Sequence, residues 1–293
     1  MTIIIGVLEQ GFIYGILALG VYITYKILDF PDLTVDSSFP LGAAITVQAI
    51  LHGINPAMSL MLSFLAGCLA GLCTGLINVK CHVRDLLSGI ITMTGLYSIN
   101  LHIAGKANVP IFDMPTIFKN ETISSLPPAA ARFSSLVIIL FITLIAKLLL
   151  DMYLKTKSGY LLRAVGDNPI IVSSLAKDSG TVKIIGLMIS NGLVALSGGV
   201  MGQWQRFFEL SMGTGAIVIG LASVIIGINA FKRIDFLKAT TAVIIGSIIY
   251  KACVALAIKL GLGASDMKLV TAVLFLVILV LGFDRKKKVK KSA

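Results

Sequence analysis

The sequence predicts an all-α fold: a polytopic membrane helix bundle of about nine spans, with inverted-topology repeats and broken helices. Three observations carry that expectation. Of 293 residues, 57% are hydrophobic and only 13% charged, against about 25% charged in soluble domains. Mean hydropathy is +0.96. So little polar surface cannot cover a water-soluble globule, which excludes a soluble enzyme, a disulfide scaffold and a disordered chain. Second, the apolar residues fall into long separate runs. Third, basic residues gather in alternate connections between those runs.

The runs lie at 3–25, 37–53, 57–79, 85–104, 133–154, 182–203, 212–231, 236–260 and 266–283. Most are close to the roughly 20 residues that cross a bilayer. The apolar start lacks a basic n-region and a small-residue cleavage site, so it is expected to be part of a retained span. In the third run Gly67, Gly71 and Gly75 recur every four residues. That spacing lets helix backbones approach closely and predicts a tight bundle.

Orientation follows from the basic residues. The tail 284–293 carries Arg285, Lys286, Lys287, Lys288, Lys290 and Lys291. The loop 155–183 carries Lys155, Lys157, Arg163, Lys177 and Lys183. Lys232, Arg233 and Lys238 form a third cluster, and Lys80 and Arg84 a fourth. Nine spans with the C-terminus inside place all four on the cytoplasmic face. The net charge of +11 is then a topology signal and no nucleic-acid partner is expected; the tail is also suited to anionic membrane lipid. The four cysteines form no CxxC pair and three of them sit in apolar stretches, and the three histidines are scattered. No metal site is expected.

Two stretches resemble each other. Residues 32–38 and 209–215 both run acid, leucine, hydroxyl, aliphatic, then small or polar residues. Each precedes an apolar run rich in small residues, and an odd number of crossings separates them. That pattern is the mark of an inverted repeat. The single transmembrane domain 1–293 then divides into a first repeat (1–104), an outer loop and connector span (105–154), a cytoplasmic loop (155–182), a second repeat (183–283) and the basic tail (284–293). Asp, Thr and Ser favour helix starts, and Pro31 and Pro40 suit a chain that is not continuously helical there. A helix starting inside the membrane directs free N–H groups at the midplane. Irregular backbone at that depth is tolerated where it lines a cavity or is buried in protein. Asp32, Thr34, Asp36, Ser37 and Ser38, with Glu209, Ser211, Gly213 and Thr214, are therefore the candidate path residues. Glu9 and Lys251 are ionisable residues within runs and so functional candidates; they could pair. The aromatic and basic cluster 203–208 reads as a membrane-interface belt.

In the loop 155–182, Asn168 suits an N-cap and Pro169 the first helical position. Ile170, Ile171, Ser174 and Leu175 follow, and Gly180 suits a stop. A short extramembrane helix offering isoleucine and leucine suggests docking into a partner's groove.

The segment 159–180, with Arg163, Ala164, Val165, Gly166, Asp167, Asn168 and Pro169, resembles the coupling loop of ABC-importer permeases of the branched-chain amino acid and ribose type. The opening 9–20, from Glu9 and Gln10 through Tyr14 to Gly20, resembles the first span of the branched-chain permeases. Residues 32–44 resemble a less characterised subgroup, some members of which are associated with aromatic amino acids. At 29–40 the chain departs from the branched-chain pattern, being more acidic. The resemblance spans nearly the whole chain. It implies a permease subunit, in a homodimer or heterodimer, for an amino acid or similar small polar solute in the cytoplasmic membrane. Two cytoplasmic ATPase subunits would dock around 167–176, with Arg163, Gly166, Asp167, Asn168, Pro169, Ile170, Ile171 and Leu175 as coupling residues. An extracytoplasmic binding protein would deliver solute, and transport would proceed by alternating access. The chain has no GxxxxGK[ST] loop to cradle phosphates, so it is expected to bind no cofactor, with ATP on the partner ATPase. The competing reading is an ion-coupled secondary transporter using Glu9, Asp36, Glu209 or Lys251. A membrane enzyme is the least supported, because no catalytic motif or metal spacing is present.

Overall fold

A computed structural model describes residues 2–120, 127–167, 178–232, 237–260, and 269–273, 275–277 and 280. Its long elements are helices. α1 (Thr2–Tyr22) runs on into a π-helical turn (Ile23–Ile27). α2 (Val35–Leu51), α3 (Pro56–Val79) and α4 (Asp85–Ala104) follow. After a short strand β1 (Asn108–Pro110) come α5 (Pro128–Leu154) and a short helix α6 (Lys157–Asp167). α7 (Ser179–Gln205) leads to β2 (Phe207–Glu209) and a 3-10 turn (Leu210–Gly213). α8 (Ala216–Ala230) and α9 (Ala239–Lys259) follow, and the described residues of 269–280 are helical.

Seven helices among the described residues are long and apolar enough to cross a membrane. The protein is a multi-pass all-α membrane bundle. The expected second span is α2, which at 17 residues is shorter than those seven. Most of its residues are buried inside protein. The expected ninth span is helical where it is described.

α7 is the hub: 78% of its apolar window is buried, far more than in the other spans. Small residues make that possible. A Cβ on Gly67 or Gly71 of α3 would lie 2.3 Å from the Asn191 carbonyl oxygen or 2.2 Å from that of Leu187, and one on Gly75 would lie 2.9 Å from the Ile184 side chain. The glycine stripe read from the sequence is thus the α3–α7 contact. Serine hydroxyls then donate across helices to backbone carbonyls: Ser190 to Gly20 (2.8 Å), Ser197 to Ile13 (2.7 Å) and Ser63 to Ala195 (2.7 Å). Each such bond is worth about 0.6 kcal/mol in a membrane protein. Shape fit between α7 and its neighbours therefore dominates. Gly42→Ala tests this, because its Cβ would meet the Ala195 carbonyl oxygen at 1.8 Å. Overpacking of this kind costs about 1–3 kcal/mol or more. A thermal-unfolding midpoint equal to wild type would contradict the close approach of α2 and α7.

The two ends of the bundle differ. One carries the antiparallel pair β1–β2, with Val109 opposite Phe208. The other carries α6 and the basic turns around Lys80 and Lys155. At this basic end Asp178 caps α7, accepting from the Gly180 amide (3.0 Å) and the Thr181 hydroxyl. The Thr181 hydroxyl, followed by the Gly180 amide, holds the Asp178 carboxyl below its usual range. The expected helix beginning at Asn168 lies outside the described residues. The helix in the described part of that loop is α6, which precedes Asn168 and was not expected.

Three expectations need correction. Pro40 does not interrupt the chain; it lies inside a helix that starts at Val35. It sits in the second turn, where it removes only the bond to the Asp36 carbonyl. The 203–208 cluster is only in part at the surface: residues 204–207 are half-buried, while its two ends turn inward. Phe208 and Gln203 are fully buried, and Gln203 ties α7 to α3 by donating to the Pro56 carbonyl (2.9 Å) and the Ser59 hydroxyl (3.1 Å). Finally, Glu9 and Lys251 do not pair. Glu9 accepts from the Trp204 indole (3.3 Å), while the Lys251 ammonium sits 3.7 Å from the centre of the Tyr14 ring.

Candidate functional site: a clasp between two helix starts

The stretches 32–38 and 209–215 meet inside the bundle. Asp36, in the first turn of α2, caps the other helix start. Its Oδ2 accepts from the Gly215 amide (3.1 Å) and its Oδ1 from the Ile217 amide (2.8 Å) at the beginning of α8. These donors have no partner within their own helix, and the dipole there favours a negative charge. Gly215 is the N-cap residue of α8 at φ +83°, a left-handed conformation that costs glycine nothing. Gly213 presses on α2 so closely that a Cβ would lie 2.0 Å from the Asp36 carbonyl oxygen. That carbonyl has lost its helical donor to Pro40.

Asp32 holds the chain just before α2. Its Oδ1 accepts from the Thr34 amide (2.9 Å) and its Oδ2 from the Asn191 side-chain amide (2.7 Å). Asn191 in turn accepts from the Ser38 hydroxyl (2.7 Å), so one asparagine bridges two path candidates. It lies near the middle of the 27-residue α7, which places the junction near mid-depth. Thr34 and Thr74 hydroxyls are 2.8 Å apart. Ser37 donates to the Met93 carbonyl (2.8 Å), and the Asn100 side chain donates to the Ser37 carbonyl (2.9 Å). The Asn100 side-chain oxygen is buried without a hydrogen-bond partner among the described residues.

The candidates from the first stretch are thus gathered: Asp32, Thr34, Ser37 and Ser38 are buried and Asp36 is half-buried. The second stretch divides. Gly213 is buried against α2, but Glu209, Ser211 and Thr214 are exposed, with the Ser211 hydroxyl donating to Glu209. Asn191 and Thr74 complete the site without having been chosen as path candidates. Asn191 was visible as an amide within an apolar span. Thr74 gave no signal beyond its place beside the glycine stripe.

At the basic end, α6 packs on the turn leading to this site. A Cβ on Gly166 would lie 1.7 Å from the Ile27 carbonyl oxygen, and Leu162 and Leu28 side chains both crowd Gly186 of α7. Leu162 and Leu28 are buried. Two residues on, Phe30 is buried with the Lys183 ammonium 4.8 Å from its ring centre, and Lys183 pairs with Asp85 at 2.9 Å. Of the coupling candidates, Arg163, Gly166 and Asp167 fall on α6; Asn168, Pro169, Ile170, Ile171 and Leu175 lie outside the described residues. No group of three or more metal-ligating side chains occurs among the described residues.

A buried polar junction near mid-depth, made by two helices that start inside a multi-pass bundle, is an arrangement that membrane transport subunits use. The chain belongs to the family of permease components of branched-chain amino acid transport systems, whose profile matches residues 3–282. It is 46% identical over 282 residues to a tyrosine transport system permease protein of Clostridioides difficile, covering 96% of this chain and 92% of that one. It is 31% identical over 281 residues to an uncharacterised protein of Rickettsia prowazekii, covering 94% and 96%. A protein named as a probable branched-chain amino acid transport permease of Methanocaldococcus jannaschii is 27% identical over 260 residues, covering 83% and 78%. No solved structure matches.

Proposed function

We propose that the chain is the transmembrane permease subunit of an ATP-driven importer for an amino acid, with an aromatic side chain favoured by its 46% identity to the tyrosine permease. The observation that carries the reading is the clasp: Asp36 occupies the amides at the start of α8. An amino acid presents both charges needed to exchange with it. Its carboxylate competes for the amides of Gly215 and Ile217, and its ammonium competes for Asp36. Opening and closing of the clasp then accompanies passage of the solute.

The partners in this reading are cytoplasmic ABC ATPase subunits, an extracytoplasmic binding protein and a second permease copy. The basic end faces the cytoplasm with the C-terminus, and the strand end faces out. α6 and the residues after it carry the motion of the ATPases to Ile27 and Leu28, and from there to Asp32. The repeats 1–104 and 183–283 supply the two helix starts.

The test is uptake of radiolabelled tyrosine by vesicles holding the complex purified in mild detergent. Uptake that requires ATP, with an ATPase subunit in stoichiometric amount, supports the reading. Uptake driven by a proton or sodium gradient without ATP overturns it in favour of an ion-coupled carrier. Within the same assay, Ile170→Asp with Ile171→Asp is expected to release the ATPase and abolish uptake while the thermal-unfolding midpoint stays near wild type. Unchanged coupling would remove the docking role from this loop.

A further inference from the structure

Several ionised groups among the described residues have an ionic or amide partner. Lys147 pairs with Asp151 at 3.0 Å and Lys183 with Asp85 at 2.9 Å; Lys238 reaches Asp151 at 3.1 Å. Asp32 and Asp36 are held by amides. Lys251, in the middle of α9, has no carboxylate within 4.0 Å among the described residues. Its contact is the face of Tyr14, 3.7 Å away. An unpaired ammonium at this depth is costly, and a single ring face offsets only about 2 kcal/mol of that.

The lysine does not end in packed protein. It forms part of the wall of a half-open cleft of about 190 Å³ between the first turns of α1 and the last turns of α9, bordered by the exposed Ile3 and Ile258. Gly6, Val7, Val254 and Ala255 make that wall apolar, and Gln10 adds one amide beside the lysine. The cleft extends from Lys251 toward Ile3 and Ile258 at the strand end. No described residue lies within 4 Å of a Cβ built on Gly6. The cleft has room for a single ring or short branched chain, and the lysine, without a carboxylate partner among the described residues, favours a body that carries an acidic group.

We propose that this cleft binds a small apolar carboxylate, with the carboxylate on Lys251 and the apolar body between α1 and α9. The site is separate from the clasp but not isolated from it. The Tyr14 ring meets the Lys251 ammonium and also stacks on Phe39 of α2, with ring centres 5.8 Å apart. Phe39 lies one turn beyond Asp36 on the same helix. A ligand that changes how Lys251 sits on Tyr14 is thereby felt at α2.

The experiment is equilibrium binding of radiolabelled phenylacetate to the full-length protein in detergent, which needs no ATPase and does not depend on the transport reading. Phenethylamine, with the same ring and an ammonium instead of a carboxylate, is the control. Saturable binding at one site per chain is expected, with no displacement by phenethylamine. Lys251→Met should weaken it at least about tenfold, the usual scale for losing a charged hydrogen-bond partner. Lys251→Arg should hold it within about threefold of wild type. Gly6→Leu fills the cleft while keeping the lysine, and should also weaken binding about tenfold with an unchanged unfolding midpoint. Equal binding by wild type and Lys251→Met, or displacement by phenethylamine, overturns the proposal. So does absence of phenylacetate binding together with copurified phosphatidylglycerol that Lys251→Met loses, which assigns the lysine to a lipid. Loss of a dimer in Lys251→Met without phenylacetate binding assigns it to a second copy.

Discussion

Asp36→Asn is expected to lower ATP-driven uptake about tenfold or more while the bundle stays folded. The aspartate holds two backbone amides of another helix, at 3.1 and 2.8 Å. Hydrogen bonds to a charged group contribute about 1.5–3 kcal/mol. Asparagine keeps one acceptor oxygen and loses the charge that matches the α8 dipole. The stability loss should therefore be about 1–2 kcal/mol, read as a small fall in the unfolding midpoint. The transport loss should be larger, because the exchange of charges at the clasp is removed altogether. Glu209→Gln is the control: Glu209 is exposed and meets only Ser211, so uptake should stay near wild type. An Asp36→Asn protein that transports at the wild-type rate would take the clasp out of the path.

Gly166→Val is expected to separate ATP hydrolysis from uptake. Its first side-chain carbon would lie 1.7 Å from the Ile27 carbonyl oxygen, and no rotamer relieves a clash at Cβ. α6 must lift from the end of α1. The spans themselves do not depend on that contact, so the unfolding midpoint should fall little. ATPase activity of the complex should remain within about twofold, while uptake falls about tenfold, corresponding to about 1.4 kcal/mol of lost coupling. Parallel loss of both activities would point to failed assembly; unchanged uptake would show that α6 does not act through Ile27.

Much of this architecture was legible in the sequence, for a simple reason. A bilayer demands about 20 apolar residues per crossing, and that demand is written along the chain whatever the spans pack against. The glycine stripe of α3 was legible because backbone proximity admits no side chain. The partners were less so. Asp36 looks like a cap for its own helix, yet the helix it caps begins 179 residues or more later. Local spacing carries no trace of that. The pairing of 108–110 with 207–209 joins two strands of three residues, too short for an alternating pattern. α6 was hidden by Gly159 and Gly166, which lower helix propensity and are present because Leu154 and Ile27 come so near. Burial of Gln203 and Phe208 was missed because polar and aromatic residues at a span's end serve a membrane interface and a protein interior equally well.

The π-helical turn at Ile23–Ile27 has a consequence for the register of everything after it. A π turn holds one more residue than the α-helical turn it replaces. Removing one residue from it would leave a regular helix and an intact span, so hydropathy would not report the change. Each residue step is about 100° around a helix axis, so Leu28 and the chain beyond it would leave on a different side. Asp32 would then turn away from Asn191, and α2 would start facing another neighbour. The extra residue works as a fixed angular offset: it sets the direction in which the chain leaves α1, and with it the direction in which any pull on Ile27 is delivered.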